Sequence, residues 1–304
     1  LITAAPRRTP PPYQTLLDYD IPILVVDHHH PDPEAVGPLV ERHLNPYLHD
    51  EDYRITAGMM SVEIARAIDI AITDEIDHVP AVAGIADRSE ADAMEAYLSL
   101  AAESGYDRSR VQEIGEALDY ATHWLRYNTG REFVYELLNV NCDSRARHDA
   151  VVDLLAERAS DDVDRQLAAA EEHVVHEQLA NDAHLYRIDV DEYAKRFTYP
   201  APGKTTGKVH DQKVAETGDP VITIGYGPDF AVLRSDGVRL DIPAMVTELK
   251  TEIDGGGVSG GGHLVVGSIQ FVRGMRGTVL EALIEKMADA EIDETLGSSA
   301  VVTE

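Results

Sequence analysis

The chain has one cysteine, one tryptophan, few cations and no long apolar run, and each scarcity excludes something. Cys142 alone can form neither an internal disulfide nor a cysteine zinc site, so any metal is left to His, Asp and Glu. No stretch approaches the roughly 20 apolar residues of a membrane span, and no secretory leader pattern is visible. A soluble, cytoplasmic protein without a membrane partner is therefore expected. Lys and Arg number 26 against 55 Asp and Glu, a net charge of −29. Because the acids are spread along the chain, they read as a solvated coat for a salt-rich cytoplasm, and a halophilic source is expected. Such a charge normally argues against nucleic-acid partners. In molar salt, however, the Debye length is only about 3 Å, and the repulsion is largely screened.

What is present is a globular chain of 304 residues, 44% hydrophobic and long enough for about two domains. Residues 24–32 read "LVVDHHHPD". The apolar run Ile21 to Val26 predicts a short strand that delivers Asp27 to its carboxyl end, where open α/β sheets place ligand groups. A histidine there, oriented by a neighbouring carboxylate, suits a divalent ion, and a second histidine can face a phosphoryl oxygen. The competing reading is a polar loop whose histidines touch only water. Helical spacing begins at Thr56, and the small apolar stretch Val79 to Ala86, helix or strand, ends at Asp87, a further oxygen donor. Amphipathic helices follow to about residue 158. Ser160, with Asp161 and Asp162 behind it, predicts the N-cap of a connector helix ending near Asn181.

Beyond it the texture turns β-rich. "HLYRIDV" and "PVITIGYGPDFAVLRSDG" predict strands and a hairpin, and "LDIPAMVTELKTEI" and "GTVLEALIEKMADAEI" predict helices. Between those helices, "SGGGH" at 259–263 offers backbone amides without Cβ obstruction and an imidazole at their edge, an anion cradle or else a flexible turn. Two lookalikes fail. "GKTTGKV" at 203–209 has the wrong glycine spacing for a phosphate loop, with Val209 where Ser or Thr must reach magnesium. His173 and His176, one helical turn apart if helical, have no HExxH glutamate between them and make a poor zinc pair.

The ordered combination of Asp-His-His after an apolar strand, "GIADRS" about 60 residues on, a helical connector and a terminal "LRS…GGGVSGGGHLVVG" resembles the DHH phosphoesterase superfamily with its DHHA1 domain. In texture it resembles archaeal RecJ-like nucleases most. The resemblance runs from about residue 15 onward. It implies an α/β fold: a partial doubly wound parallel-sheet DHH domain over 1–158, a connector helix over 159–183, and a smaller α/β DHHA1-type domain over 184–304. It further implies His28 and Asp87 as ligands of an Mn2+ or Mg2+ pair, Asp27 as orienting partner or co-ligand, and His29 as the contact to the scissile phosphate. Arg234, Ser235, Gly260, Gly261, Gly262 and His263 would grip substrate. Two divalent ions would activate water against a phosphodiester in single-stranded DNA, RNA or short oligonucleotides and release nucleoside monophosphates.

The family places two further aspartate motifs upstream of the triplet, whereas here Asp27 has only 26 residues before it. These open with "LITAAPRRTPPPYQ", free of acids and of an initiator Met. An incomplete or miscalled amino end is expected. Two classes stay open: a metal-dependent exonuclease, or an inactive nucleic-acid-binding partner in a replication or RNA-processing complex. A basic island, Lys195, Arg196, Lys204, Lys208 and Lys213 with Phe197 and Tyr199, reads as either a strand path or a solvated loop.

Overall fold

The computed structural model describes residues 2–3, 16, 18–19, 21–31, 33–125, 130–140, 142, 144–194 and 198–297. The chain divides into two compact units, Leu1–Ala159 and Ser160–Glu304.

In the first unit, strands β1 (Ile2–Thr3), β2 (Leu24–Val26) and β3 (Arg42–Leu44) form a parallel sheet with β2 in the middle. Val25 and Val26 are fully buried, which holds the central strand. The Asp27 amide donates to the Leu44 carbonyl at 3.0 Å, so the ladder runs one residue past β2 and fixes the start of the triplet. Thr56 caps the Ala57–Ile68 helix, its hydroxyl accepting from Met59 N at 3.2 Å. Val79–Ala86 is a helix with Pro80 in its first turn, and Asp87 is its C-cap residue. Gly84 lets the side-chain ends of Met59 and Met94 pack over the place a Cβ would take. Ala81 and Val82 join Val111, Ile114, Ala117, Leu137 and Val152 in the unit's main core.

The connector differs from expectation. One helix runs from Arg145 to Glu171, straight through Ser160, and the chain then forms strand β4 (Val175–Gln178) where helix was expected as far as Asn181. Val152, Ala156, Ala159, Val163 and Ala170 are buried at spacings of three, four and seven, so one apolar stripe continues across Ser160. A continuous stripe outweighs a good N-cap residue.

In the second unit β5 is His184–Asp189, β6 Val221–Tyr226, β7 Phe230–Asp236, β8 Val238–Arg239, β9 Ser259–Gly262 and β10 Val266–Gln270. Strand β8 pairs with Glu291–Ile292, and the others join β4 in a six-stranded sheet of order β4-β5-β6-β7-β10-β9. β5 and β6 pair in parallel and the other neighbours antiparallel. One face buries Leu185, Ile222, Ile224, Leu233 and Ile269 against the helices Ile242–Glu252 and Arg276–Ala288. The other face takes the helix Pro202–Thr217, which contains "GKTTGKV" and is therefore no phosphate loop. Its small residues explain themselves: Thr206 fills the space left by Gly225, Gly207 lies against the Arg234 guanidinium, and His210 Nδ1 meets Thr223 Oγ1 at 2.9 Å. Among the described residues no helix is long and apolar enough to cross a membrane.

Candidate active site

Asp27 organises the triplet. Its Oδ1 accepts from the amides of His28 at 2.8 Å and His29 at 3.2 Å, and from His29 Nδ1 at 2.8 Å. The Asp27 side chain is 7% exposed. Burial pushes its pKa up, but the hydrogen bonds and charge of His29 and the His28 amide outweigh that, and it lies below the ordinary carboxylate value.

His28 is held by its backbone and its ring. Its Nδ1 lies 3.0 Å from the Tyr53 carbonyl, which only accepts, so Nδ1 carries the proton and Nε2 presents the lone pair suited to a ligand role. That Nε2 points at Asp87 Oδ2, 3.3 Å away. The two residues, about 60 apart in sequence, meet because the segments carrying them are tied together. The Ser89 hydroxyl donates to the Arg54 carbonyl, next to the Tyr53 carbonyl that holds His28, and the Ser89 amide donates to the Gly84 carbonyl at 2.8 Å. His29 uses Nδ1 on Asp27, and its side chain is 31% exposed.

Three residues here lay outside the sequence reading. Asn45, 1% exposed, donates to the His29 carbonyl at 2.8 Å and caps the turn at Pro46 by accepting from the Tyr47 amide at 3.1 Å. Ser89 clamps the Asp87 segment as described. His43, opposite Val25 in the register, shares the sheet face of Asp27. Burial pulls its pKa down, and the Asp27 charge works in the opposite direction. An alternation test would have found it only if the three-residue β3 had been read as a strand.

His28 Nε2 and the Asp87 carboxylate are a fitting donor pair for a hard-to-borderline divalent ion. Among the described residues no group of three or more His, Cys, Asp or Glu is assembled for one.

In the second unit the glycine tract is strand rather than loose turn. Gly260, Gly261 and Gly262 pair with Ile269, Ser268 and Gly267. A Cβ on Gly260 or Gly262 would overlap the carbonyl of Ser268 or Val266, so these two glycines serve the close approach of β10. Gly261 shares the face of Ser268, and the register puts Arg234 across β10 on that same face, opposite Val266. The His263 amide closes the hairpin onto the Val266 carbonyl at 2.7 Å. Ser235 is a correction: it is fully buried, its hydroxyl donates to the Val238 carbonyl at 2.8 Å, and it does not present that hydroxyl to a ligand. In the basic island, Lys195, Arg196 and Phe197 lie outside the described residues. Lys213 is engaged by Glu216 at 2.7 Å and Glu171 at 3.7 Å, while the Lys204 ammonium donates to the Tyr199 hydroxyl.

No family model matches the sequence. The fold superposes on the solved DHH domain of a member of the s1p family of ribosomal proteins with a TM-score of 0.86 and 35% identity, covering 92% of this chain and 67% of that one. The chain belongs to the DHH superfamily. An uncharacterized protein of Methanocaldococcus jannaschii is 36% identical over 291 residues, 88% of this DHH chain, which spans 38% of that protein's length. RecJ of Thermus thermophilus, solved with Mn2+, shares the fold at a TM-score of 0.59 and 15% identity, over 92% of this chain and 43% of that one. The expected RecJ-like α/β DHH fold is thus the one found.

Proposed function

We propose that this DHH chain supplies the phosphodiesterase machinery of a metal-dependent exonuclease that releases nucleoside monophosphates from single-stranded nucleic acid or short oligonucleotides. The observation that carries the reading is the His28 Nε2 lone pair, set by the Tyr53 carbonyl and aimed at Asp87 3.3 Å away. His28 and Asp87 would hold Mn2+ or Mg2+. A bound ion of this kind lowers the pKa of water and neutralises phosphate charge.

The remaining chemistry belongs to the chain. Asp27 fixes His29 through Nδ1, leaving Nε2 at the half-exposed end of the ring to meet a phosphoryl oxygen, as a donor once protonated. Asn45 holds the His29 backbone, so the ring has little freedom to turn away, and such positioning is worth much of the rate in phosphoryl chemistry. Gly261, Arg234 and His263 in the second unit would bind the strand's phosphates. Solved RecJ structures containing Mn2+ or Mg2+ support the choice of ion for the fold.

The test is manganese-dependent degradation of end-labelled single strands by the full natural chain, with Asp87→Asn and His28→Gln as variants. Loss of activity in both, with an unchanged circular dichroism spectrum, is expected. Full activity in either variant overturns the assignment. Strand binding without cleavage within a replication or RNA-processing complex is the second reading. Tight strand binding by a wild-type chain that cleaves nothing would favour it.

A further inference from the structure

His176 and His184 meet at the opposite edge of the second unit's sheet, in an arrangement that the sequence did not disclose. His173 and His176 do not share a helix: the helix ends at Glu171, His173 stacks on Tyr193, and His176 lies in β4. β4 is an edge strand paired antiparallel with β5, His176 opposite Tyr186 and Gln178 opposite His184. The strand pleat therefore puts His176, His184 and Tyr186 on one face. His176 Nε2 lies 2.9 Å from His184 Nδ1. The His176 ring stacks on Tyr186 at 4.7 Å, and His184 Nε2 lies 3.7 Å from Asp219 Oδ2.

We infer that His176 and His184 form a binding site for a borderline transition-metal ion, Zn2+, Ni2+ or Cu2+, separate from the DHH centre. Two imidazole nitrogens bound to one tetrahedral ion at about 2.0–2.1 Å stand about 3.3 Å apart, so the present 2.9 Å contact has to open by a few tenths of an ångström, and the two rings, 10° from parallel, have to tilt until both lone pairs converge on the ion. Asp219 supplies the outer carboxylate that metal-bound histidines commonly have. The Asp219 charge, 3.7 Å from His184 Nε2, favours the proton on that nitrogen, which leaves the Nδ1 lone pair facing His176. In the metal-free protein His176 Nε2–H donates to that lone pair. On binding, the His176 proton moves from Nε2 to Nδ1, a tautomer change with no net proton release from neutral rings.

Tyr186 supports the His176 ring from below, while the ring itself is exposed and open to an incoming ion. Among the described residues no third imidazole, thiol or carboxylate joins the pair, so water completes the coordination. A pair of nitrogen donors selects Zn2+, Ni2+ and Cu2+ over Mn2+ and Mg2+, whereas the DHH pair is one nitrogen and one carboxylate. A bound ion would also clamp the edge strand β4 to β5.

The site is tested on the whole chain with Cu2+ and Zn2+. Wild type should show a copper electron paramagnetic resonance signal split by two nitrogens, and Zn2+ should raise the melting temperature. His176→Gln and His184→Gln should each remove the two-nitrogen signal and the thermal shift. Asp219→Asn should weaken Zn2+ binding about tenfold or more. In His28→Gln the two-nitrogen copper signal should persist, and excess Mn2+ should not compete with it. An oxygen-only copper signal in wild type, or the same signal and shift in folded His184→Gln, overturns the inference. Should His176→Gln fail to fold, His184→Gln and Asp219→Asn decide alone.

Discussion

Replacing Asp27 with Asn separates the charge of this residue from its geometry. An amide oxygen can take the place of Oδ1 and accept from the same three donors, at 2.8, 3.2 and 2.8 Å. What is lost is charge assistance. A hydrogen bond to a charged group is worth roughly 1 kcal/mol more than a neutral one, so three bonds lose about 3 kcal/mol. Relief from burying a carboxylate returns part of this, and a net loss of about 1–2 kcal/mol at pH 7 is expected. The pH dependence fixes the sign. The Asp27 pKa is lowered in the folded chain, so its ionised form stabilises the fold. That stability is fully present above the unfolded carboxylate value and is lost as pH falls through the folded value. Urea unfolding of both proteins, followed by circular dichroism at pH 7 and near pH 3, reads the gap directly. Equal stability at pH 7, or a gap that stays the same in acid, would refute the reasoning.

Gly261→Val should weaken single-strand binding while leaving the unfolding midpoint close to wild type, because Gly261 shares the Arg234 face; unchanged affinity would return the tract to a purely structural role. Lys204→Glu with Lys208→Glu should weaken binding and flatten its salt dependence by about 0.7 in slope for each lost phosphate contact, and identical slopes across a salt series would show that the strand passes elsewhere. His78 and His148 are pushed below their ordinary pKa, chiefly by burial. The unfolded chain therefore takes up their protons first, and stability falls as pH drops below the free imidazole value. Gln at both positions should reduce that slope, and parallel slopes for variant and wild type would contradict it.

Much of the candidate site was legible because its chemistry is concentrated in short, distinctive strings. The triplet follows an apolar strand, and Asp87 ends a small-residue segment, so both announced themselves. What tied them together did not. Tyr53 acts through its carbonyl, which any residue provides, and Asn45 and Ser89 are ordinary turn residues until their partners are known. β4 was hidden because "VHEQ" is polar at three of four positions, as an edge strand can be, and its pairing with β5 creates the only β signal it has. The connector failed for the opposite reason: Ser160 with two following acids imitates a helix start, while the apolar stripe that overrules it belongs to a helix of 27 residues.

The notch between Thr206 and Gly225 has an evolutionary consequence. The Thr206 side chain occupies the volume where a Cβ on residue 225 would stand, and its hydroxyl is fixed by donating to the Pro202 carbonyl at 2.8 Å. These two positions therefore share one allotment of space, and a gain at one is a loss at the other. In related chains, Ala or Ser at the position of Gly225 should travel with Gly or Ala at that of Thr206. A chain carrying the larger residue at both would have to lift the whole helix off the sheet and carry Gly207 away from Arg234 with it.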